Sequence, residues 1–366
     1  MSVEITTNKG SYIEFTLQGC STPCANGLRR IIMSRLPVAA MNASSDEEST
    51  IQISANTGGL SNEIVKHRLS CIPVHGLQQP TDLSNYTLRL DVTADEDTPR
   101  LVTTADIQVM WGDAANLQPA PASVAKSLFP ANPITGDHIV ITKLNPAIPA
   151  VSAGERLAFD AKLYWTEGSV KGTASAACTC SYKPTPDPAR QEEAWQRVSG
   201  GEDNPQAKQD WLLGPGARIT IPNSYDFCLE GVGVYSPVTM LNMACDILSG
   251  DLANALASFA EDGAITPLVT TLQDAHNVKI TGDVYTIGYL LQDALYAKHC
   301  VGPSKNYVGF RKDHPHDSYG TLRVAIEGSS SPAAVLATLT AAVEELQSTI
   351  ATIKESLPSE SILSTA

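Results

Sequence analysis

The side chains best equipped for chemistry in this 366-residue chain are eight cysteines and seven histidines. Cys20 and Cys24 form a C-x3-C pair, and Cys178 and Cys180 a C-x-C pair. Four thiolates brought together would make a tetrahedral zinc site, but structural zinc sites are usually built on C-x2-C knuckles, and neither pair is one. No metal and no cofactor is expected. A cysteine nucleophile needs a histidine base and an orienting group within hydrogen-bond reach, and none of the histidines lies in a nucleophile motif. The acidic run "DVTADEDTP", Asp91 to Pro99, lacks the glycine turn of a calcium loop and reads as a solvated loop. "NTGGLS", Asn56 to Ser61, has no lysine at phosphate-loop spacing. A non-catalytic role follows, with a cytosolic Cys/His hydrolase as the enzymatic alternative.

One basic group stands out against a net charge of −14. In "TPCANGLRRIIMSRLP", Thr22 to Pro37, three arginines (Arg29, Arg30 and Arg35) flank an apolar stripe. Thr22 suits an N-cap, Pro23 suits the first helical position, and Pro37 disfavours helical geometry at Leu36. Leu28, Ile31, Ile32 and Leu36 then share one face, at i, i+3, i+4 and i+8. Gly27 costs up to about 1 kcal/mol against alanine in a helix interior, and close passage of another backbone is the expected reason. In "SNEIVKHRLSCIP", His67 and Arg68 beside Leu69 suggest either a surface salt bridge or a contact edge.

These side chains need a scaffold. With 43% hydrophobic and 17% charged residues the chain has the composition of a soluble globule, and no apolar run approaches the ~18 residues that span a bilayer. The stretch "MSVEITTNKG" has neither a basic n-region nor an apolar core, so an intracellular protein is expected. The acidic balance repels phosphates, and no Lys/Arg-rich run compensates for it.

From Asp46 to about Ala158 the chain is polar, Pro-rich and acidic, broken by short β-like runs such as "HIVITKL". An inserted, β-rich domain over 46–158 is expected. The flanking segments, 1–45 and 159–260, form one discontinuous domain, and 261–366 a smaller one. Leu241, Cys245, Leu248, Leu252, Ala255 and Phe259 keep heptad spacing, as do Leu336, Leu339, Val343, Leu346, Ile350, Ile353 and Leu357. These two seams either pair with each other or pack separately on their own sheets. Between them "VKITGDVYTIGYLLQDALYAKH" repeats the strand-to-helix unit, with Ile287, Leu290, Leu291 and Ala294 on one face. The chain reads as an unequal internal duplication of α+β class.

The stretch "CANGLRRIIMSRLPVAAMNAS", followed by "ISANTGGLSNEIVKHRLSCIPV", resembles the α-like subunits of cellular RNA polymerases. These are the third subunit of eukaryotic polymerase II, its archaeal counterpart and, more distantly, bacterial α. "HIVITKLNPAIPAVSAGERLAFDAKLYWTEG" and "YDFCLEGVGVYSPVTMLNMACDIL" extend the likeness to about residue 259. Beyond it, "GDVYTIGYLLQDAL" and "YVGFRKDHPHDSYGTLRVAIEG" resemble the small α-like partner, the eleventh subunit of polymerase II or the small archaeal α-like chain. Gly27 stands where the family usually has Ala or Ser. Val284 and Tyr285 stand where it has an acidic residue and His. The Cys-rich loop that often follows the "IP" motif is replaced by "HGLQQPTDLSNYTLRL", which removes the expected ligands of the family's inserted metal site.

The resemblance implies an α+β fold in which two α-like halves form an intramolecular pseudo-twofold dimer. Its interface would join Leu28, Ile31, Ile32 and Leu36 to Ile287, Leu290, Leu291 and Ala294. Arg29, Arg30, Arg35, His67, Arg68 and Leu69 would face the two largest polymerase subunits, with one or two small subunits attached elsewhere. DNA and RNA would be met only through the complex, and no membrane is involved. Both halves in one chain resemble the arrangement of some large DNA viruses of eukaryotes, which implies a place in the virion and host cytoplasm, or alternatively the nucleus. A free-standing regulator with an α-like fold is the remaining alternative.

Overall fold

The computed structural model describes residues 1–44, 48–94, 98–112, 116–148, 152–200, 204–303 and 305–358. Asp46, where the expected insert begins, and Asp95, Glu96 and Asp97 of the acidic run lie outside these residues. The chain opens with strands β1 (Ser2–Asn8) and β2 (Tyr12–Gln18), helix α1 (Thr22–Ser34), strands β3 (Val38–Ala40) and β4 (Ile51–Asn56), and helix α2 (Asn62–Ser70). Next come β5 (Tyr86–Thr93), β6 (Arg100–Thr103), β7 (Gln108–Trp111), β8 (Gln118–Pro119), α3 (Ala122–Leu128), β9 (Val140–Leu144), β10 (Arg156–Lys162) and β11 (Tyr164–Thr166). They are followed by β12 (Ala177–Pro186), α4 (Pro188–Ser199), α5 (Pro205–Leu213), β13 (Thr220–Gly231) and α6 (Pro237–Phe259). The last set is β14 (Ile265–Pro267), β15 (Ala275–Ile280), α7 (Val284–His299), β16 (Tyr307–Arg311), β17 (Gly320–Ala325) and α8 (Pro332–Glu355). Among the described residues no helix is long and apolar enough to cross a membrane.

The chain divides into two compact units. One comprises Met1–Ile32, Thr179–Glu230 and the chain from Pro237 onward; the other comprises Met33–Cys178 and Gly231–Ser236.

The first unit contains two four-stranded sheets, ordered β1-β2-β13-β12 and β14-β15-β17-β16. The second arises from the succession strand, strand, helix, strand, strand, helix; the first follows the same order with the second unit inserted after α1 and with α4 and α5 between β12 and β13, and each places its fourth strand beside its second. Alternation explains the sheets. Ile13, Phe15 and Leu17 of β2 point inward, and Phe15 stands opposite Phe227 of β13 with their rings stacked 4.9 Å apart. The heptad residues Leu241, Cys245, Leu248, Leu252, Ala255 and Phe259 of α6 are all buried, as are Leu339, Val343, Leu346, Ile350 and Ile353 of α8. The two helices pack on each other. Gln347 Nε2 donates to the Ser249 carbonyl at 3.1 Å, and Lys354 pairs with Asp246. Of the two arrangements the seams allowed, the structure adopts direct pairing, where each fully buried leucine contributes about 1.5–3 kcal/mol. Leu336 is half-buried, and Leu357 lies beyond the end of α8.

The second unit is built on a five-stranded sheet, β4-β10-β5-β7-β8, with β6 and β9 as a separate pair. Leu88, Leu90, Leu157 and Phe159 form its core with Val65 and Leu69 of α2 and Ile141 and Leu144 of β9. This unit is wider than the 46–158 read from composition. The reason is β3, which pairs antiparallel with β11 and so draws both flanks of the polar stretch into the same body.

Candidate protein interface

Helix α1 is placed by its own sheet. Thr22 opens it, its hydroxyl 2.6 Å from the Tyr225 hydroxyl of β13. Leu28, Ile31 and Ile32 are fully buried. Leu28 borders a small apolar gap with Phe15, Leu17, Leu241, Cys245 and Ile353, so it packs under the first sheet and against α6 and α8. Leu36 is buried but does not share this face: α1 ends at Ser34, and Leu36 sits in the bend before Pro37, within the other unit. The proline ends the helix earlier than the periodicity suggested.

On α7, Ile287, Leu290 and Leu291 are buried. Ala294 is only half-buried, and the fourth place on that face belongs to Leu295, which is fully buried. Gly288 accommodates a ring: a Cβ there would collide with Phe310.

The two helices meet at the first turn of α7. A Cβ on Gly27 would lie 3.1 Å from Thr286 Cγ2 and 3.7 Å from Leu248 Cδ2. Side chains, and not the expected backbone, crowd this glycine. One turn on, Arg30 Nε donates to Thr286 Oγ1 at 2.9 Å and Nη2 to Asp283 Oδ1 at 3.1 Å. Asp283 is the N-cap of α7, accepting from the Thr286 amide, and its second oxygen accepts the Thr286 hydroxyl at 2.7 Å. Its carboxylate therefore serves both the helix N-terminus and the arginine. Arg30, expected to face a large subunit, is instead a tie within the chain, with 39% of its side chain exposed.

The other expected docking residues divide. Arg29 is half-buried, with Nε donating to Asn26 Oδ1 at 3.0 Å. In the second unit Arg35 pairs with Glu167 at 3.2 Å. His67 and Arg68 are exposed on α2 beside Ile64, and Arg68 Nη2 donates to the Val140 carbonyl at 2.8 Å. Leu69 has no exposed surface and belongs to the core, because helical periodicity turns it to the same side as Val65.

Four of the eight thiols are buried, those of Cys20, Cys24, Cys180 and Cys245. The Cys24 thiol is held well above its ordinary range by its hydrogen bond with Cys20 and by burial. Burial pushes Cys180 and Cys245 up to about 12. The thiolate is the nucleophile and the metal ligand, so these shifts work against both roles. Among the described residues no three His, Cys, Asp or Glu side chains gather to hold a metal.

Asp283, Thr286 and Leu295 were missed from sequence. An N-cap signal was present for the first two: Asp three residues before Thr, at the head of an apolar-periodic run.

The chain matches the family described as the RNA polymerase Rpb3/Rpb11 dimerisation domain over residues 14–252. That match ends within α6. It is 30% identical over 154 residues to DNA-directed RNA polymerase subunit Rpo3 of Thermococcus kodakarensis, covering 41% of this chain and 46% of that one. Rpo3 of Pyrococcus furiosus is 29% identical over 171 residues, 44% of this chain and 51% of the relative. The human DNA-directed RNA polymerases I and III subunit RPAC1 is 24% identical over 194 residues, 48% and 51% of the two chains. The chain thus spans about half the length of the relatives it matches. With more than half of its residues matched, the chain belongs to the RNA polymerase Rpb3/Rpb11 dimerisation-domain family.

Proposed function

We propose that this chain is a non-catalytic assembly subunit of a DNA-directed RNA polymerase, in which two α-like halves, fused in one chain, form an internal pseudo-twofold dimer. The observation that carries the reading is the repeated sheet order, with the first helix of each half meeting at Gly27, Arg30, Asp283 and Thr286. In this reading Leu28, Ile31 and Ile32 with Ile287, Leu290 and Leu291 stabilise the paired halves, and nucleotidyl transfer takes place in other subunits. Membership of the Rpb3/Rpb11 family and the polymerase names of its relatives support it.

The surfaces that dock the two largest subunits are Arg29 on α1 in one unit and, separately, Ile64, His67 and Arg68 on α2 in the other. Arginines at such a contact make charge-assisted, bidentate hydrogen bonds, and truncating a buried interfacial partner costs about 2–5 kcal/mol. One or two small polymerase subunits complete the assembly. A viral source, with the protein in virion and host cytoplasm, belongs to the same reading through the fused arrangement.

The test is affinity purification of the tagged chain from its native source. Co-purification of the two largest polymerase subunits, lost in an Arg29→Glu, Arg68→Glu variant of unchanged melting temperature, is the expected result. Recovery of the chain without polymerase subunits overturns the assignment.

A further inference from the structure

The two sheets of the first unit have opposite electrostatic character. The strands of the first carry Glu4, Glu14, Asp226 and Glu230 against a single cation, Lys183. The strands of the second, "ITP", "AHNVKI", "YVGFR" and "GTLRVA", contain no Asp or Glu at all. Their alternation turns Val278, Ile280, Val308, Leu322 and Val324 inward. Lys279, Arg311 and Arg323 therefore share the opposite, open face, where Arg311 is paired at 2.9 Å with Asp313 just beyond its strand.

Register fixes how this face is laid out. Lys279, Thr321 and Arg311 form one row across three strands, and Asn277, Arg323 and Gly309 the next row but one. Arg323 Nε donates to Asn277 Oδ1 at 3.1 Å, which holds the guanidinium over the sheet. An aromatic ring flanks each end of the basic band. Tyr319, 40% exposed, lies beneath Lys279 Nζ at 5.0 Å from the ring centroid. Tyr307, 45% exposed, lays its ring against Gly309, where any Cβ would collide with it. Glycine is what lets this ring lie along the sheet. The span from Tyr319 to Arg323 is four residues, about 13 Å of strand, or two to three extended nucleotides.

Cations interleaved with exposed aromatic rings on a helix-backed four-stranded sheet are the elements that bind unpaired nucleic acid: bases stack on rings while Lys and Arg track phosphates. A duplex would hide its base faces from such platforms. An acidic protein segment would use the cations but leave two exposed tyrosines without a role. The floor between the cations also offers the Thr321 hydroxyl and the Asn277 amide, groups able to bond a ribose 2′-hydroxyl. No Lys/Arg run announces this patch in sequence, because the three cations come from three different strands.

We propose that the open face of the β14-β15-β17-β16 sheet binds single-stranded RNA, with bases stacked on Tyr307 and Tyr319 and phosphates held by Lys279 and Arg323. The proposal does not depend on the assembly reading, since it is tested on the purified full chain without polymerase.

The experiment is fluorescence anisotropy with a labelled oligouridylate of about 12 nucleotides, an oligothymidylate of the same length and labelled poly-glutamate. Two phosphate contacts should give a slope of about −1.4 for log affinity against log salt, at about 0.7 per contact for single strands. Lys279→Gln with Arg323→Gln, and separately Tyr307→Ala with Tyr319→Ala, should each weaken RNA binding at least tenfold, while Lys183→Gln on the acidic sheet leaves it unchanged. Photocrosslinking of a 5-iodouracil RNA to the unmodified chain should label Tyr307 or Tyr319, a readout independent of any variant's folding. Crosslinks confined to other segments, or no salt-dependent binding, overturn the proposal. Equal affinity for oligothymidylate removes the assignment to RNA. Poly-glutamate binding that matches RNA and ignores the tyrosine variant makes the face an acidic-protein surface instead.

Discussion

The guanidinium of Arg30 lies 3.1 Å from the carboxylate of Asp283, a residue 253 positions further along the chain. The pair joins α1 to the N-cap of α7. Asp283→Ala should cost about 1–2 kcal/mol, because a helix cap goes with the ion pair. Combined with Arg30→Ala in a double-mutant cycle, the coupling should be about 0.5–1 kcal/mol, the partial exposure of the arginine keeping it modest. Urea unfolding of the four proteins measures it. Zero coupling would mean that the contact adds nothing to the joining of the halves.

Two helical glycines, Gly27 of α1 and Gly288 of α7, should respond differently to a methyl group. Gly27→Ala gains up to about 1 kcal/mol of helix propensity and meets Thr286 Cγ2 tightly and Leu248 at ordinary contact distance, so its stability should stay within about 1 kcal/mol of the parent. Gly288→Ala drives a methyl into the Phe310 ring and should cost about 1–3 kcal/mol through overpacking. Thermal melts of the two variants check the order; a Gly27→Ala variant less stable than Gly288→Ala would contradict it.

Cutting the chain between the halves should leave both folded only together. The turn after α6 is exposed at Glu261, Asp262 and Gly263, whereas Ile265 is already buried in β14, so the cut belongs at 261–263. Co-expressed fragments should co-purify. Expressed alone, each exposes one side of the α6–α8 seam and should aggregate. Monodisperse, separate fragments are the outcome that sinks the internal-dimer reading.

Within the second unit, His75 gives a pH dependence. Its Nδ1 lies 2.9 Å from the Gly233 carbonyl, and burial lowers its pKa below the ordinary histidine value, outweighing the backbone bond, which acts the other way. The folded state prefers the neutral ring. Its contribution is complete above the unfolded value of about 6.5 and is lost as pH falls through the lower folded value. The stability difference between the parent and His75→Gln should therefore narrow from about pH 7.5 to about pH 5. A difference that stays constant with pH would show that the ring is not held neutral.

The heptad spacings of α6 and α8 were legible because the seam residues from Leu241 to Phe259 and from Leu339 to Ile353 are all buried, and the structure pairs those seams; only the ends of the second seam, Leu336 and Leu357, fall outside this burial. The face of α1 was legible through Ile32 and failed at Leu36, where the local rule set by Pro37 outweighed periodicity. The partner of Arg30 was illegible for a different reason. A charged residue beside an apolar stripe looks solvent-facing until its partner is known, and Asp283 cannot be paired with it by any local rule. Leu69 was assigned with its neighbours His67 and Arg68, although a helix turns adjacent residues to different sides. The basic face was invisible for the same reason as Arg30's partner: Lys279, Arg311 and Arg323 meet only through strand register.

The pairing of β2 with β13, which brings Thr16 within 3.0 Å of Asp226, sets a timetable for biosynthesis. At about 5–20 residues per second, a ribosome needs roughly 10–40 s to make the chain between those strands. The β1–β2 hairpin is made before the strands that complete its sheet, with Phe15 and Leu17 uncovered, and residues 33–178 of the second unit come in between. The nascent chain therefore carries an unfinished apolar surface until β13 follows, and the last piece of the second unit, residues 231–236, is made only after that strand.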